Sequence, residues 1–132
     1  MRVRVLTDSS TNVPDSTLAQ LNIIELPALV NFGTQSFLNK VELSTEEFYR
    51  RLVMANTLPT TAQPLPKQFA AAYEQAAAEG AEEAIVVVVS GRMSGTLNTA
   101  AVAAETAPIK GHRLQPDCRV KTSSKSWRGR MP

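Results

Sequence analysis

One cysteine, Cys118, and one histidine, His112, stand among the 132 residues. A lone cysteine excludes an intramolecular disulfide, and a lone histidine beside it leaves no zinc set of the usual kind. No Gly-x-Gly-x-x-Gly run and no Gly-Lys-Ser or Gly-Lys-Thr triplet follows a strand pattern, so dinucleotide and P-loop binding find no motif. No apolar stretch approaches the ~18–20 residues of a membrane span. The amino end, Met1-Arg2-Val3-Arg4, runs straight into a strand pattern without the apolar region of a secretion leader. The expectation is a cytoplasmic protein using neither metal nor cofactor.

Basic residues are scarce until late in the chain. Residues 1–107 hold 7 Lys/Arg against 11 Asp/Glu, net −4, whereas residues 108–132 hold 7 against 1, net +6. The last stretch is also poor in apolar residues and shows neither helical nor strand period. It reads as a basic, irregular tail that is solvated or disordered. Nucleic-acid binding through its arginines, lysines and Trp127 is the other reading of the same composition.

The strongest pattern is Ile85-Val86-Val87-Val88-Val89, an uninterrupted β-branched run expected of a parallel strand buried on both faces. It ends at Ser90-Gly91, and the alanine-rich Leu97 to Ala104 is a helix. Ser90, Gly91, Ser94, Gly95 and Thr96 therefore lie between a strand's carboxyl end and a helix's amino end. Unpaired N–H groups and positive dipole charge collect at such a junction, which suits an anion.

Before that strand the chain alternates strands and helices. Val3–Leu6 is a first strand, followed by the hydroxyl-rich loop Asp8 to Thr11 and a short helix opened by Pro14-Asp15 and running to Leu21. Ile23 to Val30 is a second strand, made an edge or broken at Pro27. Gly33-Thr34 turns the chain, with Gln35 to Leu38 as a short extension. Ser44-Thr45-Glu46-Glu47 has capping-box spacing, and Phe48, Leu52 and Val53 give the next helix an apolar face. Thr57 to Pro66, with its prolines and threonines, reads as a rigid loop. A helix from Lys67 to Glu79 presents Phe69, Tyr73 and Ala77 on one face and stops at Gly80. This order predicts a Rossmann-like, three-layer α/β domain over residues 1–107 with a mostly parallel sheet. Three hydroxyl-rich loops (Asp8–Thr11, Thr60–Gln63 and Ser90–Thr96) are expected at one sheet edge.

Each candidate has a plainer reading. Ser94 invites a nucleophile, yet Gly91-Arg92-Met93-Ser94-Gly95 sets the serine one residue late for the hydrolase elbow, and no base accompanies it. Ser90, Ser94 and Thr96 would each cap a helix, although capping needs only one of them. Asp8 has the character of a turn former holding loop amides. Thr60 and Thr61 gain value only in combination with Ser94.

Thr7-Asp8-Ser9-Ser10, Pro59-Thr60-Thr61-Ala62-Gln63-Pro64 and Met93-Ser94-Gly95-Thr96, in that order and with Glu47-Phe48-Tyr49 between the first two, resemble the DegV family of bacterial fatty-acid-binding proteins over residues 2–107. The resemblance implies a lipid-binding protein, not an enzyme. Two α/β domains would hold one long-chain fatty acid between them, and the acyl group would be presented to a fatty acid kinase. It places Thr61 and Ser94 at the family's head-group hydroxyls. Gly95 would stand where the backbone approaches the carboxylate, and Asp8 and Ser9 at the supporting first-loop pair. Ala62 and Leu65 replace family serines. The family also continues well beyond this length, with another strand and an Asp-Ser turn, of which Asp117-Cys118 is the only trace. The expectation is a first domain truncated or frame-shifted after residue 107. A hydrolase or phosphoryl-transfer enzyme using Ser94 is the alternative.

Overall fold

A computed structural model describes residues 2–89, 93–114 and 120–122. Five strands form the larger sheet: β1 (Val3–Asp8), β2 (Ile24–Leu26), β6 (Glu83–Val87), β7 (Lys110–Leu114) and β8 (Val120–Thr122). Their order is β2-β1-β6-β7-β8, parallel except for the antiparallel edge β8. The smaller antiparallel sheet is β4 (Gln35–Leu38), β3 (Leu29–Phe32) and β5 (Thr60–Ala62), in the order β4-β3-β5. Among the described residues four α-helices accompany them: α1 (Asp15–Gln20), α2 (Thr45–Met54), α3 (Pro66–Ala78) and α4 (Thr96–Ala104).

The expected second strand is broken at Pro27, because proline cannot donate to a ladder. Its first half joins the large sheet and its second half starts the small one. The extension at Gln35–Leu38 is the return strand of a hairpin around Gly33-Thr34.

The core fills one side of the large sheet. Leu6, Leu26, Ala84, Val86 and Val88 point there and meet Phe69, Ala72, Tyr73 and Ala76 of α3 with Leu97, Ala100 and Ala103 of α4, all buried. Tyr73, fully buried, has its hydroxyl pushed up to about 12 by that burial. Gly111 of β7 has no side chain because Ala104 Cβ and Tyr73 Oη would lie only 2.9 and 3.0 Å from a Cβ there. On the opposite face Val5, Ile85 and Val87 are half-buried and Val3 is 45% exposed. The strand expected to be buried on both faces is therefore closed on one, since α3 and α4 pack together on the same side. The chain steps from β1 to β2 in one direction and from β6 to β7 in the other, so right-handed connections put α1 and α4 on opposite faces.

Other expectations are corrected as well. Thr57 to Pro66 is not all loop: Thr60–Ala62 pairs with Asn31 to Leu29 as β5. The stretch after residue 107 is not irregular throughout, since β7 and β8 extend the sheet and His112 lies within β7. In α2, Val53 is 86% exposed, and the helix packs through Phe48, whose ring lies 5.9 Å from Phe32, with the Arg51 guanidinium over Phe37. The α2 capping box is half formed. Ser44 Oγ accepts from the Glu47 N–H, while the Glu47 carboxylate turns to Arg50 and Arg51, whose hydrogen bonds lower its pKa to about 2. On α3 it is Ala76, not Ala77, that reaches full burial.

Phe69→Ala is expected to lower the unfolding free energy by about 3–5 kcal/mol through cavity formation, whereas Val53→Ala changes it by less than about 0.5 kcal/mol. Urea denaturation of the two variants checks this; equal losses would contradict the placement of the core.

Candidate functional site

At the carboxyl edge of the large sheet, the small sheet folds over and leaves a cavity of about 640 Å³. That volume lies in the range of small-ligand sites. Its polar rim comes from three separate segments: Asp8 and Ser10, then Thr61 and Gln63, then Ser94, Gly95 and Thr96. Ala28, Val30, Ala62, Pro64, Val89 and Met93 supply apolar wall, and Asn39 adds an amide. Among the described residues no lysine or arginine lines it.

The first segment is held rigidly from within. Asp8 is 1% exposed, and its Oδ1 accepts from the backbone N–H of Ser10 at 3.0 Å and from the Ser10 hydroxyl. Thr11 Oγ1 donates to Asp8 O at 2.8 Å and lies 3.0 Å from Thr7 Oγ1, which donates to Val87 O at 2.7 Å, so the 3-10 turn Ser9–Thr11 reaches β6 through Thr7 of β1. The turn-forming reading of Asp8 is thus realised, with the residue still at the cavity wall. Ser9 has a different place. Its buried hydroxyl accepts from the Ala28 N–H and from Asn39 Nδ2, both at 3.0 Å, and so fastens the first loop to the small sheet. Lys40, at φ 62°, adds a second tie: its Nζ donates to Val13 O at 2.9 Å and pairs with Glu25 at 3.2 Å.

The second segment lies on β5. Thr61 sits opposite Val30 and lines the cavity, whereas Thr60 does not line it and accepts a 3.4 Å bond from Asn31 Nδ2. Alternation along the strand separates the two threonines.

The third segment opens α4. Ser94 Oγ accepts from the Thr96 N–H at 3.3 Å and lies 2.8 Å from Thr96 Oγ1. The helix's first intrahelical bond is Thr99 N–H to Gly95 O at 3.0 Å, so the N–H groups ahead of it lack helical acceptors and face the cavity end. Ser94 is not the cap of α4: it precedes the Gly95 N-cap, satisfies the Thr96 N–H just inside the helix, and lies on the rim. Ser90 lies outside the described residues.

Thr61, Ser94, Gly95, Asp8 and Thr96 are therefore brought together, and Ser9 and Thr60 stand behind or beside the wall. Sequence reasoning gave no site role to Ser10, Asn39 or Gln63. Ser10 and Gln63 lay inside loops already marked as hydroxyl-rich; Asn39 carried no local signal, because only the pairing of β3 with β4 returns it to the cavity. His112 does not line the cavity. Its Nε2 lies 2.6 Å from Glu83 Oε2, and no histidine lines the cavity with Ser94 among the described residues. Most of the basic tail, Cys118 and Trp127 included, also lies outside them.

The fold is a mostly parallel α/β domain, and its hydroxyl-rimmed cavity lies at the carboxyl edge of the sheet, where doubly wound folds place their ligand crevice. A family model described as "Uncharacterised protein, DegV family" matches residues 2–123, and the chain belongs to that family. The match runs past the boundary expected at residue 107 and takes in β7 and β8. A DegV domain-containing protein of Listeria innocua is 36% identical over 104 residues, 79% of this chain and 37% of its own. Another from Clostridium perfringens is 33% identical over 102 residues, 77% and 36% of the respective chains. This chain thus spans little more than a third of the length of those relatives. Among solved structures, a Thermotoga maritima protein described as revealing fatty acid binding function superposes with a TM-score of 0.78 at 30% identity, covering 86% of this chain and 42% of that one. DegV of Bacillus subtilis, described as a fatty acid binding protein, gives 0.74 at 31% identity, covering 81% and 38%.

Ser9→Ala is expected to cost about 1–3 kcal/mol of stability, because it strands the buried Ala28 N–H and frees the half-buried Asn39 amide. Urea unfolding measures it, and a loss below about 0.5 kcal/mol would contradict the tie.

Proposed function

We propose that the cavity holds the carboxylate of a long-chain fatty acid, with Thr61 Oγ1 and Ser94 Oγ as its hydroxyl donors. The convergence of these two side chains on one rim, from strands and helices 33 positions apart in the chain, carries the reading. A carboxylate there meets hydroxyl groups and the positive end of α4, and charge-assisted bonds are about twice as strong as neutral ones. Gly95 lets the ligand approach the start of α4. Asp8 and Ser9 hold the first loop, with Ser10 and Thr96 completing the rim. The apolar wall from Ala28, Val30, Val89 and Met93 leads the acyl chain away from the rim. Burial of that chain contributes about 0.8 kcal/mol per methylene.

Support comes from the fatty acid binding described for the Thermotoga and Bacillus relatives. Because this chain spans well under half of those proteins, its part in the whole activity is a head-group half-site. The pairing of His112 with Glu83, away from the cavity, favours binding over a serine-histidine hydrolase. Presentation of the bound acyl group to a fatty acid kinase is the further step in this reading.

Oleic acid titrated into the chain should bind, and Thr61→Ala and Ser94→Ala should each weaken it by about 1–3 kcal/mol. Isothermal titration calorimetry is the measurement. Unaltered affinity in both variants would overturn the assignment, and turnover of activated esters lost with Ser94→Ala would favour an enzyme.

A further inference from the structure

The two proposed head-group hydroxyls belong to different sheets' attachments, Thr61 to β5 of the small sheet and Ser94 to the entrance of α4 on the large one. Their spacing is useful only if β5 and α4 are fixed to each other. Gln63, two residues beyond Thr61, crosses that gap. Its Nε2 donates to Thr99 Oγ1 at 2.8 Å, joining positions 36 apart in the chain. Thr99 is 6% exposed, and its hydroxyl donates onward to Gly95 O at 3.2 Å, so the same side chain grips the first turn of α4 from inside. The far end of the Gln63 amide lies against Gly95. A Cβ on Gly95 would overlap Gln63 Oε1 and sit 3.2 Å from Gln63 Nε2. Gly95 is therefore small for two partners, a ligand on one side and the Gln63 amide on the other.

We infer that Gln63 is a positioning residue: it latches β5 to the amino end of α4 and thereby sets the distance between Thr61 and Ser94. The role in binding rests on the fatty acid reading; the latch itself does not. A glutamine suits this place because its amide donates to Thr99 while its length spans the gap. The hydroxyl of Thr99 can accept from Gln63 and donate to Gly95 O at once.

The latch is tested first without lipid, by backbone hydrogen exchange in the whole 132-residue chain. Gln63→Ala should speed exchange at the Thr99 N–H, the first one bonded within α4, and Thr99→Val should speed it at Thr61 and Ala62, each by roughly three- to tenfold. The double variant should be no faster than the faster single one, Thr99→Ser should exchange like the parent, and Gly95→Ala should mimic Gln63→Ala by displacing the amide. Effects confined to the substituted element, or rates that multiply in the double variant, overturn the latch. The second arm titrates oleic acid. Gln63→Ala and Thr99→Val should weaken binding by roughly three- to tenfold and Thr99→Ser should leave it intact. Binding that responds to Ser94→Ala but to neither of the other two overturns the positioning role and leaves the fatty acid reading standing. Coupled exchange in a chain that binds no oleic acid overturns the fatty acid reading and leaves the latch standing.

Discussion

A single buried hydroxyl decides where the small sheet sits. Ser9 Oγ takes the Ala28 N–H and the Asn39 amide together, one from the entrance of β3 and one from just beyond β4. Both donors would be costly to bury alone, and the desolvation cost of leaving them unpaired is larger than the net gain of making either bond. The small sheet is thereby seated on the first loop of the large one. The Lys40 ammonium on Val13 O and Glu25, and the Gln68 amide on Pro27 O at 3.2 Å, close the same seam from either side. Everything at the cavity follows from that seating, because β5 reaches the carboxyl edge only as the third strand of the small sheet.

Under the proposed reading a carboxylate would be held without a cation, since no lysine or arginine lines the cavity among the described residues. The Asp8 carboxylate at its wall is not an open charge: the residue is 1% exposed and its Oδ1 is occupied by the Ser10 N–H and hydroxyl. Thr61, Ser94 and the start of α4 line the cavity beside it. On the proposed reading such an arrangement would select an acid that brings its own apolar body, since hydroxyls alone give little affinity and the wall would supply burial.

Much of this was legible from the residues. The β-branched run at 85–89, the alanine-rich helix after it and the Gly80 stop each dictate local structure strongly enough to be read directly, and the clustering of hydroxyls between Ser90 and Thr96 marked the edge. What escaped has physical reasons. Thr60–Ala62 is a strand of three residues fenced by Pro59 and Pro64, so its pairing with β3 is decided by distant chain rather than by its own pattern. Lys110–Leu114 has almost no apolar character. It is a strand because β6 offers a parallel edge, because Glu83 satisfies His112, and because Gly111 leaves room for Tyr73 and Ala104. Val53 looked like part of an apolar face, but α2 packs on the small sheet through Phe48 and Arg51, and that contact is too narrow to cover it. Asn39 shows the general limit: a residue drawn into a site by strand pairing carries no sign of it in its neighbours.

The most direct measurement of the central claim is a crystal structure of the chain with oleic acid. The account predicts both carboxylate oxygens within hydrogen-bond distance of Thr61 Oγ1 and Ser94 Oγ, with the acyl chain leaving along Val30 and Met93. A second cavity of about 530 Å³ offers Arg50 and Arg51 beside Phe32 and Met54. A carboxylate bound there, with the hydroxyl-rimmed cavity holding only water, would contradict it.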